Sequence, residues 1–588
     1  MQQVNHGADA LAIRRAYVQV GQRRVHYRQC GVGPPALLIH ASPTHSGMLL
    51  PELRYLGRFY TCYAFDSAGF GLSQPLPLAS MTLADLADAT AANMQALGLP
   101  ACPVYGSHTG AAIALELALR HPQRVTGIAL DGLAVFDDDE CAAMIDASRT
   151  RGTIGSSLES YVEDLPVDEL GGHFSRVWTR FRDQSMWFPW FRREPGQLNA
   201  YDLAPPASTH NWCMMYYYAA AGCGPAFHAA LTYGSRSRRA LAALGVPAVF
   251  TASDTDMMRQ HLERMPALRA GQVIEPFGSA AGDNKLALVA RHFVRFGSPH
   301  PAPPPLRELV AGDTLACQFV DLPHGQIHVR HAGRRALPAL LLLHDAPGSA
   351  AALETLIGQL SVHFFVVAPD LPGCGESAPL TAGAPLMAQY VDAMLALTDT
   401  LVLARPLVYG VGFGSSLALA LQERAPAAVR AVLLRGVLLP DAGQRADLAA
   451  NYTPAIDIAA DGSHWYRTWL MLRDSLTYWP WYQRRHRNTR DALADSSAQR
   501  LHDWTFDVMK QPASYGHLIG AALAHDAAAA LAAAGVPVLL CSDAAQPLFA
   551  YDAEARRLAP AAALVAPGGA HARALADVLS LLDNRPGL

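Results

Sequence analysis

One feature narrows the folds open to this chain more than any other. A glycine-bracketed turn, set between a short apolar run and an apolar helix pattern, is written twice. The first copy is Gly106-Ser107-His108-Thr109-Gly110, after Pro103-Val104-Tyr105 and before Ala111-Ala112-Ile113-Ala114-Leu115. The second is Gly410-Val411-Gly412-Phe413-Gly414, after Tyr409 and before Ser415-Ser416-Leu417-Ala418. Glycines this closely spaced let a chain pass from strand to helix in a turn so tight that the tip residue projects at the helix head. The two tips differ. The first is His108, and the second, Gly412, has no side chain.

Other stretches repeat in the same order. Ala36-Leu37-Leu38-Ile39-His40 is matched by Leu340-Leu341-Leu342-Leu343-His344, followed by Ala41-Ser42-Pro43 and Asp345-Ala346-Pro347. Asp66-Ser67-Ala68-Gly69-Phe70-Gly71-Leu72-Ser73 is matched by Asp370-Leu371-Pro372-Gly373-Cys374-Gly375-Glu376-Ser377. Both Asp loops and both turns stand 304 positions apart (66 to 370, 106 to 410). A helical, aromatic-rich stretch follows each, with His173 matching His464 at an offset of 291, and each half returns to a Gly-Val-Pro strand at Val246-Pro247 and Val536-Pro537. A chain of 588 residues exceeds one hydrophobic core. The Pro-rich stretch Gly297 to Pro305 reads as a stiff extended linker. The organisation expected is therefore a first domain over 1–297 with an insertion at about 137–240, a linker at 298–306, and a second domain over 307–588 with an insertion at about 441–530.

These motifs, in this order and over nearly the whole chain, resemble α/β-hydrolase-fold proteins of the group that includes haloalkane dehalogenases, epoxide hydrolases and small esterases. The resemblance implies an α/β fold: two domains in tandem, each a mostly parallel sheet flanked by helices, with a helical cap inserted after the core's first half. The alternating strand and helix patterns point the same way. In such proteins the tight turn is the nucleophile elbow, and the triad runs nucleophile, acid, histidine along the chain.

Neither half carries that triad. In the first, the elbow offers His108 and the acid position falls on Asp256; Asp131, after the next strand, is the alternative acid or a turn-forming carboxylate. The late histidine is replaced, with Ala281 as the best match. Ser107 precedes the tip and is turned away from the cleft. In the second half Gly412 replaces the nucleophile, Gln546 stands at the acid position and His571 remains, either as a relict or as a structural residue; Asp543 is out of register. His40, His344, Asp66 and Asp370 read as bracing residues. The resemblance places the oxyanion donors at the backbone N–H of Thr109 and of Ala41 or Ser42. In the first cap, Trp178, Trp187, Trp212 and His210 either line a substrate pocket or pack the cap.

An imidazole at the elbow can act as acid or base near neutral pH without a cofactor. The leading expectation is thus an enzyme acting from its first half on a small or mid-sized apolar or aromatic ester-like or carbonyl substrate. It would work by hydrolysis or by a cofactor-independent lyase, isomerase or cyclase step, with a degenerate second half in an intramolecular pseudo-dimer. The competing expectation, favoured by the damage to both triads, is a non-catalytic ligand-binding or scaffold protein. Composition trims the remaining classes. Hydrophobic residues make up 51% and charged residues 16%, with net charge −4, and no basic run points to nucleic acid or an anionic membrane. No zincin, P-loop or paired metal-ligand spacing is present, so neither metal nor cofactor is expected. Nine scattered Cys, and a start without a basic and apolar leader pattern, fit a cytoplasmic protein.

Overall fold

Apolar runs bounded by turn residues become strands. Pro35–Ile39 is buried at every position, and Ala339–Leu343 at every position but the first. That is the pattern of a central parallel strand covered by helices on both faces. In a computed structural model of the chain, the residues described are 11–78, 81–151, 167–188, 193–199, 201–219, 223–234, 236–279, 284–304, 314–380, 383–490, 495–567 and 571–583. Ala281 and the Pro189-Trp190 pair lie outside them. Two compact units emerge: Met1–Pro166 with Ser175–Arg307, and Val167–Phe174 with Glu308–Leu588.

The first unit holds an eight-stranded sheet: β1 (Arg14–Val20), β2 (Arg23–Cys30), β3 (Pro35–Ile39), β4 (Thr61–Phe65), β5 (Cys102–Ser107), β6 (Val125–Asp131), β7 (Ala248–Thr251) and β8 (Gln272–Ile274). Their order across the sheet is β1-β2-β4-β3-β5-β6-β7-β8. β1 and β2 form an antiparallel hairpin, β2 pairs antiparallel with β4, and every later pairing is parallel. The second unit repeats the scheme with β9 (Ala316–Leu322), β10 (Gly325–Ala332), β11 (Ala339–Leu343), β12 (Phe365–Pro369), β13 (Leu407–Val411), β14 (Ala431–Arg435), β15 (Val538–Leu540) and β16 (Ala563–Leu564), in the order β9-β10-β12-β11-β13-β14-β15-β16. The 304-residue offset of the sequence motifs is therefore a repeat of strand order.

Helices flank each sheet. Leu83–Ala96 starts at a capping box, in which Thr82 Oγ1 accepts from the Asp85 N–H and Asp85 returns the bond to the Thr82 N–H. Between β6 and β7 lie the insertion helices Asp138–Arg151, Gly172–Met186, Pro206–Ala219, Cys223–Leu231 and Arg236–Ala243. Between β14 and β15 lie Ala442–Asn451, Ser463–Ser475, Ala498–Lys510, His517–Ala524 and Ala527–Ala532. Among the described residues no helix is long and apolar enough to cross a membrane.

The loop after β4, and its counterpart after β12, are tied down by one buried carboxylate each. Asp66 accepts from the Ser46 and Leu72 N–H groups at 2.9 Å and meets His26 Nδ1 at 2.8 Å. Asp370 accepts from the Ala350 N–H at 3.0 Å, the Glu376 N–H at 3.1 Å and Arg330 Nη1 at 2.9 Å, and meets His328 Nδ1 at 3.0 Å. His40 and His344 link neighbouring loops: the Ser67 N–H donates to His40 Nε2 at 2.9 Å and the Leu371 N–H to His344 Nε2 at 2.8 Å.

Candidate active site

The turn from β5 into the helix Thr109–Arg120 puts His108 at its tip with φ 49° and ψ −111°. For a residue with a Cβ this sparsely populated positive-φ conformation costs about 1–3 kcal/mol. It is held there because the His108 N–H is donated to the Asp131 carbonyl, 2.8 Å away on β6. Gly412 takes the same conformation, φ 56° and ψ −123°, with its N–H on the Arg435 carbonyl at 2.9 Å.

His108 and Asp256, 148 positions apart, meet: Nε2 lies 3.3 Å from Asp256 Oδ2. The carboxylate is 13% exposed and the imidazole 37%, so the pair is sheltered on one side and open on the other. The Met258 N–H donates to Asp256 Oδ1 at 2.7 Å, which orients the carboxylate. Burial alone would lower the His108 pKa, but contact with Asp256 and the charge of Asp131 outweigh it and raise the value above the usual one. Burial alone would raise that of Asp256, but His108 and the Met258 N–H hold its carboxyl below the usual range. An ionised Asp256 draws the imidazole proton to Nε2 and leaves a lone pair on Nδ1, which has no hydrogen-bond partner among the described residues.

Asp131 does something else. It is buried, and its Oδ2 accepts from the Tyr105 hydroxyl at 2.7 Å and lies 3.5 Å from Lys285 Nζ. Lys285, from the last helix of the unit (Asn284–Phe296), also donates to Glu52 Oε1 at 2.6 Å. Burial is the main reason the Asp131 pKa rises, with Lys285 and Tyr105 opposing it. Sequence reading missed Lys285, Tyr105 and Glu52. The one available signal was that Lys285 follows closely on the stretch where the family's histidine is missing.

Gly132, at φ +65°, makes room for the pair. A Cβ there would lie 2.9 Å from His108 Cε1, 3.0 Å from His108 Nε2 and 3.0 Å from Asp256 Oδ2. Gly132→Ala is expected to push the imidazole aside by a fraction of an ångström and lower turnover by about tenfold, short of the ~100-fold that a full ångström can cost. Steady-state kinetics beside a far-UV circular dichroism spectrum checks this; unchanged kinetics would mean that the methyl is absorbed elsewhere.

The cap residues divide. Trp178 and His210 are buried, while Trp187 and Trp212 are partly exposed. Tyr218 reaches the core, with its ring edge against His45 at 5.1 Å, just beyond Ala41 and Ser42.

The second unit keeps the frame and rearranges the groups. Arg435, at the position of Asp131, donates from Nε to Asp543 Oδ2 at 2.8 Å, which ties Asp543 down. The Nδ1 of His571 faces the Ala566 carbonyl at 2.7 Å, and its Nε2 is buried without a hydrogen-bond partner among the described residues. Gln546 flanks Gly436 as Asp256 flanks Gly132. At the tip stands Asp345, whose Oδ1 accepts from the Phe413 and Ala346 N–H groups, each at 2.8 Å. Those two donors correspond, 304 positions on, to Thr109 and Ser42 in the first unit.

Comparison with known proteins agrees with this geometry. The family profile described as alpha/beta hydrolase fold matches residues 34–185 and again 338–473. The chain is 33% identical over 165 residues to the dihydrolipoyllysine-residue acetyltransferase component of the acetoin cleaving system of Cupriavidus necator, which covers 28% of this chain and 42% of that one. It is 32% identical over 119 residues to haloalkane dehalogenase 2 of Mycobacterium bovis, covering 20% of this chain and 42% of that one. It thus spans less than half the length of these relatives. Among solved structures, an esterase from Exiguobacterium antarcticum is similar at 18% identity with a TM-score of 0.34, covering 48% of this chain and 98% of that one. With the profile matched once in each half and the same strand order in both sheets, the chain belongs to the α/β-hydrolase fold family, as two such domains in tandem.

Proposed function

We propose that the first domain is a cofactor-free acid/base enzyme, in which His108 oriented by Asp256 takes a proton from water or from substrate. The observation that carries this is the 3.3 Å His108–Asp256 contact at the tip of the turn, with the imidazole still 37% exposed. A base positioned by a carboxylate at a helix head has two of the three parts of a hydrolytic site. The third is a set of donors for a developing oxyanion, which the Thr109 N–H and that of Ala41 or Ser42 would supply. The substrate is a small or mid-sized apolar or aromatic ester-like or carbonyl compound, turned over by hydrolysis or by a proton-transfer route through an enolate. Trp178, Trp187, Trp212 and His210 would form its aromatic surroundings. Relatives named as a dehalogenase and an acyltransferase component support α/β-hydrolase chemistry in general and favour no one reaction.

The second domain supports the first without hydrolysing. Gly412 offers no nucleophile, the Asp543 carboxylate accepts from Arg435 Nε, and the His571 Nδ1 is bonded to the Ala566 carbonyl.

A panel of short-chain aryl esters tests the reading. Turnover is expected to survive treatment with a fluorophosphonate, and mass spectrometry should find no phosphonylated serine, because neither tip presents one. Covalent labelling of Ser107 with matching loss of turnover would replace this mechanism with a serine one.

A further inference from the structure

The second domain's tip carries a device with no counterpart in the first. Asp345 folds back so that its carboxylate occupies the space a side chain on residue 412 would need. A Cβ on Gly412 would collide with Cγ, Oδ1 and Oδ2 of Asp345. The same carboxylate uses both N–H groups that would otherwise receive an oxyanion. An anionic intermediate at this site would meet a negative charge where it needs donors, so ester hydrolysis is closed to it.

What remains is a pocket with the opposite preference. Asp345 lines a cavity of about 40 Å³, walled by Phe413, Tyr452, Trp481, Trp504 and Leu548. One water needs about 10–15 Å³ of such space, so a group of a few heavy atoms fits. Both indole N–H groups in the wall are already used: Trp481 Nε1 donates to the Tyr452 carbonyl at 2.9 Å and Trp504 Nε1 to the Pro347 carbonyl at 2.5 Å. The other groups acting on Asp345 are Gln546, Tyr452 and Arg490. Arg490 does not line the cavity; its two terminal guanidinium nitrogens donate to the Ser475 and Ala545 carbonyls, and its Nε is buried without a hydrogen-bond partner among the described residues.

We propose that this pocket binds a small alkylammonium cation, with Asp345 as its counter-ion and the aromatic walls as its cage. A carboxylate facing aromatic rings is the arrangement that favours a desolvated ammonium over a neutral group of equal shape. This site is independent of the chemistry of His108.

The test uses the full-length protein and three probes of similar size: trimethylammonium, tert-butanol and pivalate. Binding is followed by tryptophan fluorescence and ligand-observed NMR at about pH 7.5. At that pH the Asp345 carboxyl, which burial pushes up to about 6, is ionised. Trimethylammonium is expected to bind at least about tenfold more tightly than tert-butanol, and pivalate not at all. Asp345→Asn should abolish that preference and still fold. Its Oδ1 can keep both N–H bonds. Unchanged thermal unfolding confirms that it folds. Equal binding of cation and neutral probe, tighter binding of pivalate, no binding of any probe, or cation binding that survives Asp345→Asn would each overturn the proposal. The charge series is read on the native protein, so it decides the matter even if the variant fails to fold.

Discussion

His108→Ala should lower kcat on any substrate of the first domain by about two to four orders of magnitude, the range for removing a general base. KM should change little, because the imidazole is needed when the proton moves and not when the substrate docks. The pH profile separates this from a structural effect. Only neutral imidazole accepts a proton, and His108 is raised above its ordinary value by Asp256 and Asp131 against the pull of burial. The acidic limb of kcat/KM should therefore lie above the usual histidine pKa of about 6.5. Asp256→Asn removes the larger of the two raising influences, so the limb should move to lower pH while the plateau falls. A His108→Ala protein with full activity would take the imidazole out of the chemistry. An Asp256→Asn profile that drops without moving would make Asp256 a purely structural residue.

Asp370→Ala should destabilise the second domain by about 3–5 kcal/mol, the cost of leaving a buried charge without its partner. The substitution takes the carboxylate from Arg330 Nη1 and His328 Nδ1, leaving Arg330 its bond to the half-exposed Glu354, and deprives the Ala350 and Glu376 N–H groups of their acceptor. Differential scanning calorimetry, which can separate two unfolding transitions, should show one of them falling and the other nearly unmoved. The pH dependence has a definite sign. Burial alone would raise the Asp370 pKa, but Arg330 and His328 hold it far below the ordinary carboxylate range. Its contribution is fully present above the unfolded carboxylate value of about 4 and is lost as pH falls toward the folded one. His328, raised by Asp370 against its own burial, contributes in the other direction: fully below the unfolded histidine value, and less as pH rises through the folded one. A shift below about 1 kcal/mol, the scale of a single solvent-satisfied hydrogen bond, would show that water reaches the loop and rescues the stranded groups.

The fold was legible because its determinants are local. Apolar runs such as Leu340 to Leu343 state a buried strand by themselves, and the constant offset between the halves carries over into an identical strand order. His108 and Asp256 were also nameable, since each sits at a fixed step from a recognisable strand. The rest of the site depends on contacts between distant positions. Lys285 matters because its ammonium reaches Asp131 and Glu52, residues 154 and 233 positions away. Asp345 matters because a glycine 67 positions on leaves it room. In the sequence, Asp345 is one more loop aspartate and Gly412 one more missing nucleophile. Cap aromatics such as Trp178 and Trp212 have the same composition whether they wall a cleft or fill a core, so their pattern could not separate the two.

The interlock of Asp345 with Gly412 also bears on how such a half can change over generations. Placing a serine at 412 alone drives its Cβ into the carboxylate. Truncating the Asp345 side chain alone leaves the Phe413 and Ala346 N–H groups without their acceptor, at a cost of about 1–3 kcal/mol for each that stays dry. Each single step carries a cost of a different physical kind, so the two positions constrain each other. Positions 345 and 412 of the second half are thus steric counterparts, and a change of size at either one is felt at the other.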